Sequence, residues 1–352
     1  MPGTVSTVDT LGASGQTGDD RIARLMAETL EEGLCRLRGR PVQIREMRRE
    51  FLRSSSSFRT ERLHVSLDGG RPLRMFFKDL NPEHQLEKAR TVREFDLAPS
   101  HRELQMYQTI LSPERFGTLH LYAFRWEPER GLYWIFLEDG GRSLLRSSAD
   151  VNRWVVAASW AARFHAATGD LPEAQTSFLP RYDHAYYRTC AERARQILPN
   201  LETRERQLVE RGLECYARRI DWLGALPRHV IHGQLFGQNI LLRRGNAAQK
   251  VAVIDWETAA LGPGTFDLAS LTSGKWTKEQ KRVMRTAYFE EYQITTGARR
   301  DWETFSRHLA VVVLHQSLKW LGWWGHHRSL SHKFASFLKE LRAVLEEHFA
   351  EG

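Results

Sequence analysis

The chain has 352 residues, of which 41% are apolar and 11% aromatic, and its formal net charge is +8. That length supports two lobes with separate cores, and that composition excludes a disordered polymer. No aromatic and basic interleaving of a nucleic-acid module occurs, so the positive balance, locally dense at Arg45, Arg48, Arg49 and Arg53, reads as a solvated surface with some attraction for anionic ligands.

Residues 1–20 are rich in Gly, Ser and Thr, hold no Lys or Arg, and lack the apolar run of a signal peptide, so a disordered N-terminus is expected. Arg21 to Leu37 has helical spacing, with Ile22, Leu25, Met26, Leu30 and Leu34 on one face and Gly39 as the stop. Strand-like runs follow at Val42 to Leu52, Phe58 to Leu67 and Leu73 to Leu80, the last two joined by the hairpin signal Asp68-Gly69-Gly70. Asn81 to Ser100 is a charged insertion. His101 to Leu111 reads as a helix, and Thr118 to Trp126 and Gly131 to Glu138 as two further strands.

Asp139-Gly140-Gly141 breaks the pattern, and the rest is mainly helical. Val151 to Ala167 is apolar almost all round, which predicts a buried central helix. Tyr182 to Ala225 reads as one or two amphipathic helices. A short β pair, Ile240 to Leu242 and Val251 to Ile254, is joined by the turn Arg244 to Lys250, and helices run on from there. The apolar stretch Leu309 to Trp324 is too short and too interrupted by His315, Gln316, Ser317 and Lys319 to span a bilayer, so a soluble, cytoplasmic protein with no membrane partner is expected. Cys35, Cys190 and Cys215 are odd in number and widely spaced, which argues against a disulfide framework or a zinc site. The expected division is a disordered tail (1–20), an N-terminal lobe (21–138) of five antiparallel strands plus a helix, and a C-terminal, mainly helical lobe (139–352): an α+β, two-lobed architecture.

Phosphoryl transfer needs cations on the phosphates, metal ligands and a well-placed acceptor. Lys78 closes an apolar strand, where a lysine can reach phosphates, and Glu103 on the next helix can hold it. Alone, each would read as a surface charge. Ser54 to Ser57 lies between the first two strands, where Ser55, Ser56 and Ser57 could line a phosphate-covering loop or form a flexible polar turn. Asn239 and Asp255 are brought together by a tight loop and a short hairpin, and one amide oxygen with one carboxylate suits magnesium. Trp320, Trp323 and Trp324 read as core or as an apolar acceptor pocket, and His326, His327 and His332 as a surface cluster.

His232-Gly233-Gln234, Asn239 and Ile254-Asp255-Trp256-Glu257, followed by Gly262-Pro263 and Phe266-Asp267-Leu268-Ala269, resemble the motifs of the aminoglycoside phosphotransferase and choline kinase-like branch of the protein kinase-like fold. The resemblance runs from about Val42 to the Leu271 region. Trp134 to Glu138 resembles the hinge that meets adenine, and Phe164-His165-Ala166-Ala167 the end of the helix beneath the catalytic loop. It implies ATP and magnesium as cofactors, Lys78 on ATP phosphates with Glu103 as partner, Glu138 at the nucleotide, Asn239 and Asp255 as metal ligands, and His232 and Asp267 as shapers of the loop.

The family usually has Asp where this chain has Gln234, and that Asp takes the proton of the attacking hydroxyl. Gln234 cannot be a base, yet its carbonyl can accept a hydrogen bond and orient an acceptor. An acceptor already ionised needs no base, and an Asp would repel it where Gln does not. The expected function is therefore an ATP- and magnesium-dependent small-molecule phosphotransferase with an anionic acceptor. A nucleotide-binding pseudokinase with a protein partner is the alternative, and nucleotidyl transfer from a reversed ATP is a third reading. Glu257 stands as a displaced base, an acceptor contact or the partner of a nearby arginine.

Overall fold

The computed structural model describes residues 13–52, 58–68, 70–85, 101–243, 251–325 and 331–349. The chain divides into two compact units, one of residues 1–91 and 120–139, the other of residues 92–119 and 140–352.

In the first unit, helix α1 (Ala13–Arg38) precedes strands β1 (Ile44–Phe51), β2 (Thr60–Leu67), β3 (Leu73–Asp79), β4 (Leu121–Glu127) and β5 (Leu132–Glu138). The five strands form one antiparallel sheet in the order β1-β2-β3-β5-β4, as the alternating runs predicted. Helix α1 starts before the expected Arg21 and takes in residues 13–20, a stretch expected to be disordered. Met26, Leu30 and Leu34 repeat every fourth residue along it, so their side chains share one face. That face meets Leu63, Val65, Met75, Phe77, Ala123 and Phe136 of the sheet. Contact with β4 is close enough that a Cβ at Gly33 would collide with the Tyr122 carbonyl oxygen and the Ala123 Cβ. Strand β1 lies at the sheet edge, where charges discourage further strand pairing. Arg49 pairs there with the buried Glu61 at 2.6 Å, and Arg45 with Asp68, so part of the arginine concentration is tied down locally. The turn of β4–β5 ends at Gly131, whose φ of 65° suits a residue without a side chain.

The second unit begins its described part with α2 (Arg102–Thr109) and continues through α3 (Val151–Thr168), α4 (His184–Gln196), α5 (Thr203–Ala217), α6 (Thr265–Leu271), α7 (Lys278–Thr296), α8 (Trp302–Trp324) and α9 (Ser331–His348). Two short antiparallel pairs interrupt the helices: β6 (His229–Ile231) pairs with β9 (Ala260–Gly262), and β7 (Ile240–Leu242) with β8 (Val251–Val253). The second pair matches the expected one, and its turn lies outside the described residues. Helix α3 is central because Ala157, Ala158, Ala161 and Ala162 let its neighbours approach while Trp160 and Phe164 fill the space left, the latter two stacked 5.2 Å apart. The region expected to hold one or two helices contains α4, α5 and the single turn Ile220–Gly224. Helix α2, expected in the N-terminal lobe, groups with the second unit, because Arg102 donates from Nη1 to the Glu257 carbonyl at 3.2 Å. Among the described residues no helix is long and apolar enough to cross a membrane.

Candidate active site

The loop from His232 to Asn239 leaves β6 and enters β7, and the β6–β9 pairing fixes where it starts. Its first turn is held from beneath by Asp267, 1% exposed on α6. The His232 N–H donates to Asp267 Oδ2 at 2.7 Å, and the Gly233 N–H to Oδ1 at 2.9 Å. Burying a carboxylate is costly unless it is hydrogen-bonded, and here two backbone donors and His165 Nε2, at 3.1 Å, meet it. His165 is aimed in turn by Tyr288, whose hydroxyl lies 2.9 Å from Nδ1. Burial pushes the Tyr288 phenol well above its ordinary pKa, so it stays a donor. Gly233 has φ 79°, and a side chain there would strike the Thr258 carbonyl, so glycine is required on both counts.

The His232 ring is tied to the loop and to the segment that follows β8. The Gln234 N–H lies 3.2 Å from its Nδ1, and its Nε2 lies 2.9 Å from the Ile254 carbonyl. In this pattern Nδ1 accepts and Nε2 donates. The Thr258 hydroxyl caps the His232 carbonyl at 2.9 Å. The Gln234 carbonyl then accepts from the Phe236 N–H at 2.7 Å and from Asn239 Nδ2 at 3.0 Å. With its nitrogen committed inward, Asn239 keeps Oδ1 as its ligand atom. The Gln234 side chain is half-buried, and among the described residues its amide makes no hydrogen bond.

Asp255 follows β8 in the left-handed conformation, φ 68° and ψ 58°, and is the one non-glycine residue with positive φ among those described. Such a geometry costs roughly 1–3 kcal/mol and concentrates at functional positions. The Asn239 carbonyl accepts from the Ile254 N–H at 3.0 Å, which joins the Asn239 loop to the segment carrying Asp255. Carboxylate oxygens of Glu103, Asp255 and Glu257 all lie within 4.8 Å of one another, with Glu103 buried. Sequence reasoning had not placed Glu103 beside Glu257. Arg102 donates to the backbone carbonyl of Glu257, whose carboxylate is grouped with those of Glu103 and Asp255.

In the first unit, Lys78 stands opposite Thr60 and Ile135 in the sheet register, is 6% exposed, and has its Nζ 5.6 Å from the Phe58 ring centre. Glu138 ends β5, where its N–H donates to the His120 carbonyl at 2.8 Å and Met75 lies opposite. Ser55, Ser56 and Ser57 lie outside the described residues, as do His326 and His327. Trp320 and Trp324 are buried on α8 and Trp323 is half-buried, in keeping with the core reading.

Signals for the loop brace were present in the sequence as His165 and Asp267, but only the folded chain joins these two directly and backs His165 with Tyr288, a residue that no motif had marked. Pairing of β6 with β9 also escaped notice, because three-residue strands have no readable period.

Similarity to known proteins agrees with this geometry. Residues 50–305 match the APH phosphotransferase enzyme family model. A search of curated proteins by sequence matches none. Wild-type aminoglycoside 2'-phosphotransferase-IIIa, solved as its GDP complex, superposes with a TM-score of 0.54 at 16% identity, over 88% of this chain and 93% of its own. Choline kinase LicA from Streptococcus pneumoniae gives 0.55 at 13% identity, over 90% and 99%. Macrolide 2'-phosphotransferase MphH from Brachybacterium faecium gives 0.52 at 16% identity, over 86% and 95%. The family match spans well over half of the sequence, and the fold is the two-lobed, kinase-like α+β arrangement: the chain belongs to the APH phosphotransferase enzyme family.

Proposed function

We propose that this protein transfers a phosphoryl group from ATP, with magnesium, to a small acceptor that needs no deprotonation, such as a carboxylate- or phosphate-bearing metabolite. One observation carries the reading: the loop and its brace are fully assembled, while Gln234 stands at the position of the usual base. A nucleotide is supported by relatives of the same fold, LicA having been solved with AMP and aminoglycoside 2'-phosphotransferase-IIIa with GDP.

The donor set fits a hard cation. Asn239 Oδ1 and the Asp255 carboxylate are oxygen ligands, and the neighbouring carboxylates of Glu103 and Glu257 add negative charge. Magnesium, when bound, supplies neutralisation of the charge on the transferred group. Lys78 would hold ATP phosphates, Glu103 would serve as its partner, Ser55, Ser56 and Ser57 would cover the phosphates, and Glu138 would lie at the adenine. Gln234 would orient the acceptor by accepting or donating a hydrogen bond through its amide. It takes no proton. A general base contributes roughly 10²–10⁴-fold, whereas positioning and electrostatics carry most of phosphoryl transfer, so an assembled site without a base can still turn over an ionised acceptor.

The test is calorimetry of ATP binding with and without magnesium, on the native chain and on Asp255→Ala. Metal-dependent binding that Asp255→Ala removes is expected. Equal binding by both proteins would overturn the metal assignment. Binding without transfer to any anionic acceptor would move the protein to the pseudokinase alternative, and transfer of AMP, read by product mass, to the nucleotidyl one.

A further inference from the structure

Lysine is a poor residue for the inward face of an apolar helix, yet Lys319 occupies one. Its helix α8 carries His315, Gln316, Ser317 and Leu318 as buried neighbours, and Gln316 Nε2 donates to the Phe266 carbonyl at 2.6 Å, which pins the helix to α6. The Lys319 Nζ lies 5.4 Å from the ring centres of Phe266 and Trp320 and 5.8 Å from those of Tyr182 and Tyr186. Ammonium groups are attracted to aromatic faces within about 6 Å, and a set of rings of this kind is the usual receptor for an organic cation. In this protein the box contains the chain's own cation.

The box adjoins the catalytic loop. The Trp320 ring is 5.7 Å from that of Phe236, two positions after Gln234 in the sequence. The Tyr182 hydroxyl lies 3.4 Å from where a Gly233 Cβ would sit. The Tyr182 N–H donates to the Leu261 carbonyl at 2.8 Å, so the ring is fixed to β9, the strand that pairs with the loop's own β6.

We propose that Lys319 is the acceptor-recognition cation: its ammonium fills the aromatic box beside the loop, excludes cationic acceptors, and meets an anionic group of the acceptor. This rests on the phosphotransferase reading and sharpens it. Gln234 and Lys319 act in the same sense, one by removing a negative charge from the acceptor side of the loop and the other by adding a positive one. Each makes the site worse for a cation and better for a carboxylate or phosphate.

The experiment uses full-length native protein, Lys319→Ala, Lys319→Met and Lys319→Arg, each saturated with magnesium and ADP. Each is titrated with disodium succinate and with tetramethylammonium chloride, by calorimetry and by the fluorescence of the tryptophans. The native protein is expected to bind succinate and to ignore tetramethylammonium. Lys319→Ala and Lys319→Met should weaken succinate by roughly ten- to hundredfold, the range of a charged hydrogen bond. Lys319→Arg should retain it. Lys319→Ala, with the box vacated, should gain tetramethylammonium binding, and Lys319→Met keeps the side-chain volume should the alanine variant fold poorly. Tetramethylammonium binding by the native protein, absence of succinate binding, or succinate binding indifferent to Lys319→Met would each overturn the proposal. ADP uptake on the same samples separates the two levels: without it the phosphotransferase reading fails, and with it the acceptor assignment alone is judged.

Discussion

In the proposed reaction, Gln234 is the residue on which the chemistry turns. Its backbone holds the loop together, by accepting from Phe236 and Asn239, so the position is structurally intact whichever side chain it carries. The variant Gln234→Asp should therefore keep the loop and restore a base. We expect phosphorylation of neutral hydroxyl acceptors to rise by about 10²–10⁴-fold and that of anionic ones to fall, both read by product mass. Unchanged rates on both, with ATP still bound, would show that proton removal does not limit this site. Gln234, Asn239 and Asp255 were legible in the sequence because their spacing is imposed by a loop and a hairpin, both local. Asp267 was legible only as a motif member. Its work on two backbone N–H groups, and its dependence on His165 and Tyr288, comes from residues far apart in the chain.

Among the elements, α1 shows how periodicity and packing divide the labour. The spacing gave the helix and its buried face at Met26, Leu30 and Leu34, yet Ile22, placed on that face, is 42% exposed. A helix turning at 3.6 residues drifts off a flat sheet within a few turns, and sequence does not state where the sheet ends. Gly33 marks the closest approach to β4. Gly33→Val should push α1 off the sheet and destabilise the first unit by about 1–3 kcal/mol, seen as a lower urea midpoint. A midpoint equal to the native one would mean that α1 is not tightly packed at that point. The short strands β6 and β9 teach the complementary lesson: each is too brief to recognise alone, and their pairing positions the loop.

For the molecule as a whole, acid should be the destabilising direction. Burial lowers the pKa of His229 to about 3, with the charges of His165 and Arg300 adding to the effect, and burial also holds His315 well below its ordinary value. Both rings are neutral in the folded chain and take up protons more readily when it unfolds. Stability from these two groups is full above about pH 6.5 and declines as the pH falls, for His229 toward about 3, because the unfolded state binds more protons there. Urea midpoints measured against pH should show this slope, and His229→Phe should flatten it while lowering the midpoint overall, since the ring also bonds the Tyr292 hydroxyl at 2.9 Å. An unaltered slope in His229→Phe would remove that histidine from the account.

The sequence by itself determined the five-stranded sheet, the helical second half and the residues of the loop and its following Asp-Trp-Glu, because alternation, helical spacing and turn chemistry are all short-range properties of the chain. Tertiary structure decided what those residues meet. It moved Glu103 and its helix into the second unit beside Asp255 and Glu257, hung the loop on Asp267, and set Lys319 among four rings drawn from three separate segments of the chain. Charge and ring contacts of that kind arise between residues many turns apart, and no period in the sequence encodes them. Gln234 could be read in the sequence, but the rings around Lys319 could be seen only in the fold.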